Sequence, residues 1–305
     1  MSDTDDTEQR TARAGFGFAL SAYVMWGLSP LYWQWFETGP LEIVAHRTIW
    51  ATLALLPFVL AANPRLTGLF TAQRIFWGAV GALLIGSNWL VFIWAVSRGQ
   101  VLEVSLGYFM GPLMNVALGV IFLRERLRPA QIAAVALAVV GVAAPIIASG
   151  HVPAVALFLG ASFSLYALVR KRLDVGGATG LFLESLLLTP FGIAGVLWFE
   201  TSGTGRFLEW SWQPVLLISA GVIFTAGVLQ LFILGARRLT LSTMGLIQFI
   251  APTIQFVIGL IMGEAFPPAR AIAFVFIWVG LAIYAADMLR HERARALQRR
   301  ASPVG

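Results

Sequence analysis

Phe92–Ile121 reads FIWAVSRGQVLEVSLGYFMGPLMNVALGVI, and Phe232–Ile261 reads FILGARRLTLSTMGLIQFIAPTIQFVIGLI. A shift of 140 residues lays Phe92 on Phe232, Ile93 on Ile233, Leu106 on Leu246, Phe109 on Phe249, Pro112 on Pro252, Gly119 on Gly259 and Ile121 on Ile261. The same shift sets Phe18 on Phe158, Trp26 on Tyr166 and the amide of Asn115 on that of Gln255. Shared apolar composition does not readily produce this register, so the chain reads as two related halves. What those halves are follows from the residues around them.

Of 305 residues, 58% are hydrophobic and 12% charged, against about 45–50% and 25% in soluble domains. Such a chain belongs in lipid. A spanning helix needs about 20 apolar residues, and the runs broken by charge, Pro or Gly predict ten: 14–36, 43–62, 74–97, 101–123, 129–147, 152–170, 177–199, 213–236, 240–263 and 269–289. A soluble helical core would show polar stripes at helical period, and these runs are apolar around nearly their whole circumference. The halves therefore hold five spans each. Five is odd, so the second enters the membrane inverted, the arrangement that builds paired gates around a midplane site.

Orientation follows from the basic residues, which are retained on the cytoplasmic side. With both ends inside, 17 of the 21 Lys and Arg fall on cytoplasmic segments, only Arg98, Arg206 and Arg270 fall opposite, and Arg47 lies within a span. The divisions expected are a cytoplasmic tail 1–13, a first five-helix repeat 14–147, a second 152–289, and a basic cytoplasmic tail 290–305. The acidic opening (Asp3, Asp5, Asp6, Glu8) is unlike a secretory signal. The net charge of +6 is scattered through short connectors rather than gathered on a polar face, which argues against nucleic acid as a partner.

An ionisable group inside a span costs about 2.5–3.5 kcal/mol on insertion scales and marks a cavity or a partner. Glu42, His46 and Trp50 follow i, i+4, i+8 on one face of the second span. Arg47 lies about 6 Å inside that span's outer end. It can snorkel to the headgroups, pair with Glu103, or bind an anionic part of a substrate, with the first two readings ahead. Glu184 has no basic residue at i±3 or i±4 and is equally readable as a proton carrier or as a neutral acid bonded to a neighbouring helix; Glu103 is a second coupling candidate. Asn88, Asn115, Gln230, Gln248 and Gln255 place amides at middle depth on four spans, either as interhelical glue or as the polar fixtures of a small-molecule cavity. Trp26, Trp89, Tyr108 and Tyr166 are deep enough to line it. Pro112 and Pro252 each remove a backbone hydrogen bond near mid-membrane and are read as paired hinges.

Chemistry in water has no platform here. HExxH, the P-loop lysine motif and Gly-x-Ser-x-Gly are missing from the sequence, and Cys is absent. His46, His151 and His291 are dispersed, which argues against a histidine metal site. No catalytic residue, metal or cofactor is expected. The competing classes are an intramembrane lipid-modifying enzyme using His46 and Glu42, and a non-transporting membrane sensor.

The strings AYVMWGLSPLYW from Ala22, EIVAHRTIW from Glu42, SNWLVFIWAV from Ser87, LEVSLGYFMGPLMN from Leu102, LVRK from Leu168, LSTMGLIQFIAPT from Leu241 and FIWVGLAIY from Phe276 resemble the RarD group, in the EamA-type branch of the drug/metabolite transporter superfamily. The likeness runs from Phe16 to Asp287 in order. It implies an all-α membrane protein of ten helices in two inverted five-helix repeats around a central cavity. It also implies a bacterial inner-membrane location and a secondary transporter or exporter of small amphipathic metabolites or drugs. The group's name is tied to chloramphenicol sensitivity and wider relatives export amino acids, so a chloramphenicol-like drug or an amino-acid-like metabolite is the partner implied. The basic tail beyond Asp287 is expected to touch anionic lipid.

Overall fold

Apolar side chains on every face leave these segments one way to satisfy their backbone in lipid, which is to bond internally as helices. The computed structural model describes residues 3–62, 66–123, 127–150 and 152–301 and is helical throughout its regular structure. Arg65, Arg124, Arg126 and His151 lie outside these residues. The elements are α1 (Asp3–Trp33), α2 (Pro40–Ala62), α3 (Ala72–Ser97), α4 (Val101–Leu123), α5 (Pro129–Ser149), α6 (Ala154–Leu173), α7 (Gly177–Thr201), α8 (Gln213–Gly221), a π-helical turn (Val222–Gly227), α9 (Val228–Ala236), α10 (Leu241–Ile247), α11 (Ile250–Ile261) and α12 (Pro268–Ala301).

Among the described residues nine helices are long and apolar enough to cross a membrane, and α5 adds the shorter apolar stretch Pro129–Ala143. The chain is an all-α, multi-pass membrane protein. Boundaries move at both ends: α1 already begins at Asp3, and α12 continues unbroken to Ala301. Two expected spans are not continuous α-helix. The 213–236 stretch is interrupted by the π turn, where the Thr225 hydroxyl bonds back to Ala220 O at 2.9 Å. The 240–263 stretch breaks between α10 and α11, four residues ahead of Pro252, which has no N–H to return to Gln248. Pro112, by contrast, sits inside an unbroken α4.

Packing is pairwise and extensive. α2 lies on α7, α5 on α12, α4 on α6 and α11, α3 on α6 and α7, α1 on α9 and α11, and α2 also on α8. The α4–α6 crossing shows how closely the backbones approach. A Cβ on Gly107 would stand 2.7 Å from Ala156 O, and one on Gly160 would stand 2.9 Å from Gly107 O. One buried cluster, built around Tyr32, Trp33, Ile43, Phe92, Val104, Leu159 and Leu217, draws on α1, α2, α3, α4, α6 and α8. The most polar part of the interior lies beside it.

Candidate functional site

The second helix carries Arg47 seven residues from Pro40, and helical geometry turns it inward rather than toward the headgroups. Its side chain is buried, with 6% exposure, which overturns the snorkelling reading. Nε donates to Thr225 Oγ1 at 2.7 Å, a bond that requires the π turn to bring Thr225 round. The guanidinium carbon lies 4.1 Å from the Trp89 ring centre and 5.3 Å from that of Trp33. Cation–π attraction of this kind is worth about 2 kcal/mol when desolvated. Among the described residues no carboxylate lies within ion-pair distance of Arg47. The expected Glu103 pairing is not formed either: Glu103 accepts from Val155 N at 3.2 Å and so caps the start of α6.

Around this cation stands an aromatic and hydroxyl wall. Tyr32 stacks on Phe224 with ring centres 4.0 Å apart, and its hydroxyl bonds to Leu216 O and Ser219 Oγ, both at 2.7 Å. Tyr108 donates to Asn88 Oδ1 at 3.1 Å, while Asn88 Nδ2 donates to Leu159 O at 3.1 Å and Ser162 Oγ at 2.9 Å. Both phenols lie within electrostatic range of the guanidinium. The structure thus brings Arg47, Trp89, Asn88 and Tyr108 together, and adds Tyr32, Trp33, Ser219 and Thr225. Tyr32 and Trp33 were visible only as part of an aromatic-rich first span. Thr225 had no sequence signal, because a π turn is not legible in a periodic apolar run.

A second centre forms where α6 meets α7. Tyr166 OH donates to Glu184 Oε2 at 2.8 Å, and Arg170 Nη1 lies 3.4 Å from Oε1. Arg170 Nη2 also reaches Gly176 O and Gly177 O, each at 3.3 Å. Glu184 is fully buried. Its basic partner comes from the preceding helix, which is why the search along its own helix found none.

The remaining candidates are dispersed. Gln255 is buried and donates to Trp26 O at 3.2 Å, while its Oε1 and the buried Nε2 of Gln230 have no partner among the described residues. Gln248 bonds locally to Gly245 O at 2.9 Å. Asn115 is exposed, unlike Gln255, its partner in the 140-residue register. Ser105 donates to Pro252 O at 2.7 Å and so ties α4 to the broken helix. His46 accepts from Trp50 Nε1 at 3.3 Å and lies against Phe207. Glu42 accepts from Arg206 N at 2.9 Å and from the Thr38 hydroxyl. The pair are thus bonded away from each other. Near the α3–α4 turn, Glu264 accepts from Val101 N and Leu102 N at 2.5 and 2.9 Å and caps α4. Burial raises its pKa above the ordinary carboxylate value despite those bonds and the nearby Arg270.

Comparison with known proteins gives three findings. The model of the EamA-like transporter family matches residues 13–145. An uncharacterized transporter of Vibrio cholerae is 41% identical, over 95% of this chain and 98% of its own length, and Protein RarD of Escherichia coli K12 is 39% identical, over 94% and 98%. A solved crystal structure, 19% identical, superposes with a TM-score of 0.55 over 89% of this chain and 96% of that one, a likeness of fold.

Proposed function

The chain belongs to the EamA-like transporter family, in its RarD group, and from that premise we propose that it moves a small amphipathic solute by alternating access between two oppositely oriented five-helix halves. The observation that carries the reading is the packing scheme. Exchange α1 to α5 with the five later spans, in order, and every principal partnership maps onto another. The α2–α7, α5–α12 and α4–α11 pairs map onto themselves, α1–α9 exchanges with α3–α6, α1–α11 with α4–α6, and α2–α8 with α3–α7. That is the pattern two-fold related halves produce, and it agrees with the 140-residue register. Halves that can rock against each other around a polar centre are the working parts of a secondary transporter.

In this proposal the Arg47 centre, with Trp89, Asn88 and Tyr108, holds the solute. The break ahead of Pro252, with Pro112 opposite, serves as a hinge. Glu184 is the coupling group if transport is proton-driven; the bond from Glu103 to Val155 supports an anchoring part for that residue instead. The charge asymmetry supports an inner-membrane protein with both termini in the cytoplasm. Solutes follow the group: chloramphenicol-like drugs and amino-acid-like metabolites. The lipid-modifying alternative is disfavoured by Glu42 and His46, whose hydrogen bonds go to other partners.

The test is flux of intact solute into proteoliposomes, against a panel of amino acids, organic acids and antibiotics. Saturable flux of at least one panel member is expected. A lipid substrate turned over in detergent, with no flux of any solute through folded protein, would replace this reading with the enzymatic one.

A further inference from the structure

We propose that the Arg47 centre recognises an organic anion, seating a carboxylate or similar oxyanion on the guanidinium and an apolar body among the aromatic rings. The proposal rests on the transport reading for its biological meaning and names what that carrier would select. Three observations support it.

The first is charge. Arg47 sits in the interior of a membrane bundle with no carboxylate at ion-pair distance among the described residues. Buried charges are otherwise paired, because desolvation costs several kcal/mol per ion. The indoles of Trp33 and Trp89 offset part of that cost and supply no counter-charge.

The second is the balance of donors and acceptors. Among the described residues, Nε alone of the guanidinium nitrogens is engaged, by Thr225, which leaves the Nη1/Nη2 edge as an unspent fork of the kind that takes a carboxylate bidentately. The acceptors nearby are already committed: Asn88 Oδ1 to Tyr108, and Thr225 Oγ1 to Arg47 itself. A centre with surplus donors and spent acceptors is complementary to an acceptor-rich ligand. An ammonium group is repelled at the fork itself, so an amino-acid-like solute seats by its carboxylate.

The third is access and assembly. Among the described residues, neither Nη1 nor Nη2 of Arg47 is a fully enclosed unpaired atom. The wall is contributed by α1, α2, α3, α4 and the π turn, elements from both halves, so a ligand bound there bridges the parts that move.

The experiment uses the whole chain, purified in detergent, with three probes of one shape and different charge: benzoate, benzamide and benzylammonium. Indole fluorescence and thermal shift report binding, since Trp33 and Trp89 flank the cation. Benzoate is expected to bind at least tenfold more tightly than either of the others. R47Q should lose that preference, and R47K, which keeps the charge without the fork, should retain part of it. Equal binding of benzamide, tighter binding of benzylammonium, no benzoate binding at millimolar concentration, or an unchanged preference in R47Q would each overturn the proposal. Should R47Q fail to fold, the probe series on the unaltered chain and R47K still decides it. Proteoliposome flux separates the two readings. Benzoate binding without flux of any solute keeps the anion site and rejects the carrier; flux of neutral or cationic solutes alone keeps the carrier and rejects the anion site.

Discussion

Among the described residues, the arginines Arg47 and Arg170 are both drawn into this bundle, and they are treated in opposite ways. Arg170 meets the fully buried carboxylate of Glu184, a tyrosine hydroxyl bonds the same acid, and backbone carbonyls at the α6–α7 turn take what is left of the guanidinium. All of this happens within one helical hairpin. Arg47 gathers its neighbours from α1, α3 and the π turn, is given rings and one hydroxyl, and among the described residues keeps most of its donors unspent. A closed local network links α6 to α7 through side chains and leaves little for another partner to satisfy. An open one, assembled from helices far apart in the sequence, is complete only when something else arrives. The charge that is costly to the fold is therefore the one to suspect of binding.

The largest expected effect separates these two roles by stability. Breaking a buried pair by removing one partner typically costs about 3–5 kcal/mol, whereas replacing a whole buried pair by apolar side chains of similar volume is often neutral or stabilising, because the desolvation cost of the charges goes with them. E184Q strands Arg170 and should lower the thermal midpoint of the detergent-solubilised protein by several degrees. R47M removes a desolvated charge and fills its place between the indoles, so its midpoint should hold or rise while benzoate binding disappears. Equal destabilisation by both would break the comparison and make Arg47 an ordinary fold anchor.

How much of this was legible in the sequence follows from range. The apolar spans are readable because hydrophobic runs are a local property: nine of the ten expected are long and apolar enough to cross a membrane among the described residues, and the fifth is shorter. Arg47 and Glu184 stood out because lipid makes any charge conspicuous. Their partners did not. Arg170 looked like one more basic residue at a helix end, and Thr225 like any threonine in an apolar run. Its role exists only because Val222–Gly227 winds as a π turn and shifts the face that meets α2. Snorkelling and pairing with Glu103 are the readings of Arg47 that the sequence puts ahead, yet Arg47 is buried and Glu103 accepts from Val155 N at the start of α6. The repeat showed the same limit: Gln255 is buried against Trp26 while Asn115 is exposed, so equivalent register did not confer equivalent surroundings.

A smaller effect tests whether the Glu184 network is closed by shape as well as charge. A Cβ at Gly180 would fall on the Arg170 guanidinium, and one at Gly81, across on α3, would come within 2.7 Å of Glu184 Oε1. The end of an arginine can swing away, so G180A should preserve the backbone and uncouple Arg170 from Glu184, at about 1–3 kcal/mol in the range typical of overpacking. Its cost should largely vanish in an E184Q background, because residues in one network are non-additive. Additive losses in the double variant, measured by thermal midpoint, would show that Gly180 matters for helix packing alone and that the network is not a unit.

The smallest effect concerns a charge outside the spans. Glu264 offers its carboxylate to the first N–H groups of α4, where a helix N-terminus favours negative charge, yet burial outweighs that favour and its pKa in the fold is raised. The folded state therefore holds this proton more tightly than the unfolded chain does. By linkage, the contribution is fully present below the ordinary glutamate value of 4.5 and is lost as pH rises through the raised folded value. The readout is the midpoint of the unaltered chain minus that of E264Q as a function of pH, which cancels the titration of every other carboxylate. That difference should decline on going from acid toward neutral pH. A difference that instead grows would mean that the two backbone bonds dominate, and that the cap on α4, like the Arg170–Glu184 pair, is a charge the fold has fully satisfied.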